Sequence, residues 1–424
     1  MTTRRAFLST VGPGVAGTSL ALAGGNTPRP TGRRKLAVIT TVWRYRSHSW
    51  HMAERFYTGY PLRGAWHMPA FDIVSAYVDQ RPENDLSRQR SQEYGFRIYN
   101  TIADALRLGG KTLAVDAVLL IGEHGDYPVN DIGQKQYPRY QFFRQIVDVF
   151  RQENRTVPVF NDKHLSWNYN WARQMVQWSE DMNFAFQAGS SLPATWRMPD
   201  IDMPYNARVR EAMVVAFGPT DIYDFHALET LQCMVERRAG GETGVAAVQA
   251  LRGDAVWRML DGSPRQLGGC DSELFKACLS RSHTLAQPES YSHRYPTPQQ
   301  MRQFVQSPIA YRIEYTDGLF ATMFLMNGLV NDFTFAARLD TGETMSTLFQ
   351  LPPNPNVVYS AALMSHAEQM FLTGRAQYPV KRTLLTSGLV EACLRSLSRN
   401  QVRMATPQLN VSYRAPRQSL YWRE

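Results

Sequence analysis

Along the first half of the chain, short apolar runs alternate with stretches of helical period. The runs fall at residues 36–41, 72–78, 117–121 and 157–160, each suited to a buried strand. Helical patterns occupy 47–57, 86–94, 101–108 and 140–152, and a further helix at 171–182 leads to a strand at 184–189. Strands alternating with helices predict a doubly wound parallel sheet.

From about residue 212 the pattern changes. Strands at 214–217 and 244–252 flank a helix at 225–237. Runs at 310–315, 319–326 and 332–339 read as a meander with a hairpin turn at Thr316-Asp317-Gly318. Helices at 360–373 and 382–398 and a terminal extended segment close the chain. The expected fold class is therefore α/β, a Rossmann-like parallel domain at 35–190 followed by an α+β domain at 191–424 with a largely antiparallel sheet. The open face of that second sheet would suit pairing of subunits into a homo-oligomer.

The amino terminus reads differently. Thr3-Arg4-Arg5-Ala6-Phe7-Leu8 precedes a Gly, Ala, Ser and Leu stretch ending at Ala21-Leu22-Ala23, the pattern of a twin-arginine signal peptide at 1–23 with a linker at 24–34. Residues 11–23 fall short of the roughly 20 needed to cross a bilayer, so no membrane anchor is expected. Export of a folded protein to the periplasm by the Tat translocase follows.

The composition, 44% hydrophobic and 12% aromatic, belongs to a globular chain. The net charge of +9 is scattered except at Arg33-Arg34-Lys35 and Arg237-Arg238, which argues for a solvated surface and against nucleic acid. Cys233, Cys270, Cys278 and Cys393 form no Cys-x-x-Cys pair, so structural zinc is not expected. An oxidising compartment would permit a Cys270–Cys278 disulfide, whereas Cys233 and Cys393 read as small core residues.

Four local features resemble the glucose-fructose oxidoreductase, inositol dehydrogenase and MocA (Gfo/Idh/MocA) family, over nearly all of the chain after the signal. Asp79 ends the second strand, and Val115-Asp116-Ala117-Val118 enters the fourth. In Val159-Phe160-Asn161-Asp162-Lys163-His164, Lys163 takes the place of the lysine in the family's Glu-Lys-Pro loop. Phe371-Leu372-Thr373-Gly374, followed by Tyr378-Pro379, is similar to the closing motif. The resemblance implies an oxidoreductase acting on a sugar, polyol or sugar derivative with NAD or NADP. Asp79 would meet an unmodified ribose, while Arg81 could accept a phosphate. The departure is the turn Thr40-Thr41-Val42-Trp43-Arg44-Tyr45-Arg46-Ser47-His48-Ser49, which lacks the glycines that let a backbone approach a pyrophosphate, although Arg44, Arg46 and the hydroxyls of Thr41, Ser47 and Ser49 could still bind one.

Residues with chemistry collect at the expected carboxyl ends of the parallel strands, where ligands bind in such sheets. Under the resemblance, Thr40, Thr41, Arg44, Asp79, Glu123 and His124 would hold the cofactor. His226 would be the base, with Lys163 as its orienting or electrophilic partner and Asp224 beside them. The family's aspartate precedes its histidine by four residues, and here Ile222 stands there. Asp162, His164, Trp196, Arg197 and Glu229 would line the substrate site, with Trp196 stacking on a sugar face.

Plainer readings stand beside these. Asp224 also suits a helix cap, Glu123 and His124 could brace their loop, the 189–197 segment could be a rigid inter-domain loop, and His48 and His51 read as surface or satisfied core histidines. Three other functions remain open: an NAD-assisted glycoside lyase or hydrolase, a divalent-metal enzyme using Glu123, His124, Asp126, His164, His226 and Glu229, and a non-catalytic carbohydrate-binding relative.

Overall fold

In the computed structural model, residues 32–262, 270–292 and 294–423 are described. The expected signal peptide and residues 24–31 of the expected linker lie outside them. The first sheet has six parallel strands in the order Arg97–Tyr99, Phe71–Val78, Arg34–Thr40, Ala117–Ile121, Val159–Asp162 and Phe186–Gly189. Leu36 to Ile39 and all of Ala117–Ile121 are fully buried. That is why they read as continuous apolar runs: a parallel sheet is covered on both faces.

Alternation along a strand sends neighbouring residues to opposite layers. Ala37, Ile39, Val118 and Leu120 meet Phe142, Phe143 and Ile146 of helix Arg139–Glu153 and residues of helix Tyr169–Asp181. Leu36, Val38, Leu119 and Ile121 meet Phe56 together with Leu363, Met364, Met370 and Phe371 of helix Tyr359–Thr373. Here the structure corrects the reading of residues 47–57. Instead of one helix there is a wide turn at Ser49–Ala53, one helical turn at Arg55–Thr58, and then a hairpin of Tyr60–Leu62 with Ala65–His67. The chain's late helix supplies the cover that a long first helix would have given.

The second sheet has eight strands in the order Met404–Ala405, Val245–Arg252, Ile309–Tyr315, Phe320–Leu325, Val209–Ala216, Phe333–Leu339, Thr344–Phe349 and Arg197–Met198. All pairings are antiparallel except Val209–Ala216 with Phe320–Leu325. The hairpin at 316–318 forms as read, with Tyr315 N–H donating to Leu319 O at 2.9 Å. The expected meander does not form, because Val209–Ala216 separates its last two strands. The Asn327 side chain ties this order by accepting from Gly218 N–H at 2.6 Å and donating to Gly218 O at 3.2 Å.

A second correction concerns the face expected to be open. Met213, Val215, Phe324 and Ala336 on that face are fully buried beneath helices Asp254–Asp261 and Ser272–Leu279 of the same chain. The opposite face carries helices Tyr223–Val235 and Lys381–Ser398. One apolar cluster runs from Ala37 in the first sheet to Val411 beyond the second, so the described residues from Arg34 onward pack as one unit. Cys270 and Cys278 are buried free thiols, as are Cys233 and Cys393. No helix among the described residues is long and apolar enough to cross a membrane.

Candidate active site

The carboxyl ends of the central parallel strands open onto a cavity of about 170 Å³. Its polar wall is made by His48, His51, Glu123, His124, Asp162, Lys163, Ser190 and His226, and its apolar wall includes Met52, Ile222, Phe333 and Leu351. Two loop residues explain this density of polar groups. Lys163 and His124 adopt the left-handed backbone, with φ of 67° and 70°. Consecutive side chains in an extended strand diverge, but these reversals let both members of Asp162-Lys163 and of Glu123-His124 line one space. A non-glycine residue in this region costs free energy, and such strain gathers at functional sites.

Lys163 and His226 meet as the sequence suggested. Lys163 Nζ lies 2.5 Å from His226 Nε2, and His226 Nδ1 lies 2.6 Å from Ser190 Oγ. Ser190 Oγ also accepts from Leu192 N–H at 3.1 Å. An ammonium only donates, so Nε2 must be the acceptor and Nδ1 must carry the ring proton, which it gives to Ser190. Burial, then the Lys163 charge, holds His226 well below the ordinary histidine range, which keeps it neutral.

A second pair was missed. His48 Nδ1 lies 2.5 Å from Asp162 Oδ2, and the His48 ring contacts His51 and His124 edge to face, with centroids 4.7 and 5.1 Å away. Burial and then the Lys163 charge keep His48 well below its usual range, while burial lifts the Asp162 carboxyl to about 6. Near neutral pH the pair is a carboxylate accepting Nδ1–H, so the Nε2 lone pair is bare. Nε2 has no hydrogen-bond partner among the described residues. The signal lay in position: His48 belongs to the glycine-free turn after the first strand, among the arginines and hydroxyls read as phosphate ligands.

Glu123 lines the cavity but is bound to Arg139, whose guanidinium is completely buried and also donates to His164 Nε2 at 2.9 Å. Burial pushes the Glu123 carboxyl up, but the charges of Lys163 and Arg139 outweigh it and hold it below the ordinary range. His164 therefore braces Arg139 and does not line the cavity. Asp224 is corrected likewise. Its carboxylate accepts from Phe225 N–H at 2.8 Å and from Tyr311 OH at 2.9 Å, outside the cavity wall. Glu229 sits behind the wall, accepting from Thr386 OH at 2.7 Å and, at 3.5 Å, from Ser190 N–H. Trp196 packs on Trp422, and Arg197 pairs with Asp202 over the Tyr421 ring, 4.0 Å from its centroid. These two are packing residues of the inter-sheet segment rather than cavity residues.

The metal alternative finds no support, since no group of three or more His, Cys, Asp or Glu side chains among the described residues is arranged to hold an ion. The chemistry explains why: Glu123 is spent on Arg139, Asp162 on His48, and His226 Nε2 faces a cation.

The residues assigned to a dinucleotide do not fit one. A pyrophosphate needs free amides at a helix start and an open crevice above the first strand. Here Ser47 Oγ accepts from the amides of Arg44 and Trp50, at 3.0 and 3.4 Å. Thr40 and Ser49 bond each other at 2.6 Å, Thr41 OH donates to Glu123 O at 2.7 Å, and Trp43 is fully buried against Phe96. Loop 122–127 crosses the crevice as a strap. Gln80 and Asp126 exchange two hydrogen bonds of 2.8 Å, and Asp79, expected to meet the ribose, instead accepts from Tyr77 OH and Tyr127 OH at 2.7 and 2.6 Å. A Cβ on Gly125 would sit 3.0 Å from Gln80 Oε1 and 3.2 Å from Val42 Cγ2, so strap and crevice floor touch. The half-buried Arg44 and the exposed Arg81 guanidinium groups, neither with a hydrogen-bond partner among the described residues, remain to meet an anion.

No protein-family model matches the sequence, and no curated protein matches it. Solved structures do match. GenD2 from gentamicin A biosynthesis, in complex with NAD, is 12% identical, with 88% of this chain and 96% of that one covered at a TM-score of 0.55. A probable dehydrogenase from Thermotoga maritima is 10% identical, covering 88% and 99%, with a TM-score of 0.52. The apo scyllo-inositol dehydrogenase from Lactobacillus casei is 10% identical, covering 88% and 98%, with a TM-score of 0.51. With its six-stranded parallel sheet, its mixed second sheet and this coverage, the chain has the two-domain fold of the Gfo/Idh/MocA dehydrogenases.

Proposed function

We propose that this chain is an enzyme of the Gfo/Idh/MocA type, acting on a sugar, polyol or sugar derivative with Lys163 and His226 as its proton-handling pair. The observation that carries the reading is the 2.5 Å contact between Lys163 Nζ and His226 Nε2 in the cavity wall. A lysine held this way donates to a hydroxyl or carbonyl oxygen and stabilises negative charge developing there; when a hydroxyl is deprotonated, its proton passes to the lysine as one of the lysine's passes to the imidazole. A polyhydroxylated ligand also suits the wall, because the Nδ1 atoms of His51 and His124 are buried without hydrogen-bond partners.

The dehydrogenases that share the fold support oxidoreduction as the general class and NAD or NADP as its cofactor, and a transient redox cycle in a glycoside lyase or hydrolase would need the same cofactor. The strapped crevice opposes both, so the step assigned to this chain's residues is proton transfer at a hydroxyl or carbonyl carbon. Twin-arginine export to the periplasm, with the Tat translocase as partner, is proposed from Arg4-Arg5 and the residues after them. For a homo-oligomer, the open sheet face no longer serves as support.

Lys163→Ala tests the pair. Turnover of a sugar or polyol substrate should be abolished while circular dichroism and the melting temperature stay unchanged, and retained turnover would remove Lys163 from the mechanism.

A further inference from the structure

The proton-transfer reading above leaves the His48–Asp162 pair unused, and the fold's usual cofactor crevice closed. Both point the same way. The cavity carries a neutral imidazole oriented by a carboxylate, with a bare Nε2, in the same wall system as the Lys163–His226–Ser190 chain. A carboxylate-oriented imidazole is the arrangement of a general base. One base and one hydride acceptor suffice to oxidise an alcohol. Two separate proton-handling groups are what a rearrangement without net oxidation requires.

We propose that this chain binds no dinucleotide and catalyses a non-redox proton shift next to a carbonyl, isomerising or epimerising a keto sugar or keto polyol, with His48 as the second base. His48 Nε2 takes the proton from the carbon beside the carbonyl. That C–H electron pair becomes the new C–C double bond, and the carbonyl pair moves onto oxygen, where Lys163 holds the charge. A proton then returns to the same carbon as the double bond reverts. Alternatively it goes to the former carbonyl carbon, while the hydroxyl on the first carbon gives up its proton to become the new carbonyl and the original oxygen, held by Lys163, takes one up to become a hydroxyl. One C–H bond breaks and one forms, and no oxidant is consumed. The strap of residues 122–127 fits this chemistry, because it fills the crevice with protein and carries Glu123 and His124 into the cavity wall.

The inference rests on the Lys163–His226 reading, and the experiment separates the two. The purified full chain is denatured and the supernatant read by mass spectrometry for NAD and NADP, and thermal melting of the native protein is followed with added NAD⁺, NADH, NADP⁺ and NADPH. No released nucleotide and no shift in melting are expected; stoichiometric nucleotide, or a nucleotide-dependent shift, would overturn the inference while leaving the earlier reading standing. Fructose, xylulose and 2-keto-myo-inositol are then incubated with the protein in D₂O and read by proton NMR. Deuterium should enter beside the carbonyl of at least one of them, and exchange in none would overturn the inference. His48→Gln should lower the exchange rate at least a hundredfold, and Asp162→Asn at least tenfold, each with an unchanged melting temperature. Full exchange in both variants would remove His48 as the base. Undiminished exchange in Lys163→Ala would sink the earlier reading and, with it, the role of Lys163 in this step.

Discussion

Arg139 offers the sharpest test of how the site is held together. Its guanidinium is fully buried, bound to Glu123, hydrogen-bonded to His164 at 2.9 Å and stacked over the Tyr137 ring, 5.0 Å from its centroid. In Arg139→Met the stem volume stays while the charge goes, stranding the Glu123 carboxylate in a site where it is 6% exposed. Breaking a buried pair from one side costs about 3–5 kcal/mol, and the lower end applies because Lys163 still faces Glu123. With a urea slope of about 3 kcal/mol per M, the unfolding midpoint should fall by about 1 M. The double variant Glu123→Gln, Arg139→Met removes the stranded charge and should recover most of that loss.

The acid limb of the stability curve provides a second reading on the same proteins. The folded Glu123 carboxyl lies below its unfolded value, so its contribution is complete above the ordinary glutamate range and is lost as pH falls through the folded value. Arg139→Met should flatten that limb. A midpoint within about 0.3 M of the parent, on the same slope, or a double variant no better than the single, would refute the view that the Glu123–Arg139 pair anchors this loop.

Two further outcomes separate structure from chemistry. Asp224→Ala orphans the buried Tyr311 hydroxyl and should cost about 1–3 kcal/mol in urea unfolding, with kcat and KM of the folded fraction unchanged; a fall in kcat would return Asp224 to the mechanism. Gly189→Ala places a Cβ 2.7 Å from Glu229 Oε2 at a φ of 135°, so it should displace the carboxylate behind Ser190 and lower both stability and kcat, measured by melting and by single-turnover kinetics.

The parallel sheet was legible because burial on both faces writes itself as unbroken apolar runs, and residues 117–121 matched the observed strand to the residue. The order of the second sheet was not, since the run at 209–216 pairs with strands far away in sequence and its place is set by contacts such as Asn327 to Gly218. Within the site, Lys163 and His226 were readable from a strand end and a helix start. His48 was not, because its meaning depends on Asp162, 114 residues away. Asp224 and Arg197 misled for one reason: a buried charge needs a partner, and theirs turned out to be Tyr311 and Asp202 rather than a ligand.

The Lys163–His226 pair requires a neutral His226, whose protonation histidine-labelled ¹⁵N NMR reads directly, with assignment by comparison to Lys163→Met. At neutral pH the imidazole should be the neutral Nδ1–H tautomer, with an unprotonated Nε2 that accepts from Lys163 and whose resonance moves when Lys163 is removed. A doubly protonated ring, or an Nε2–H tautomer indifferent to Lys163, would contradict the proposed pair.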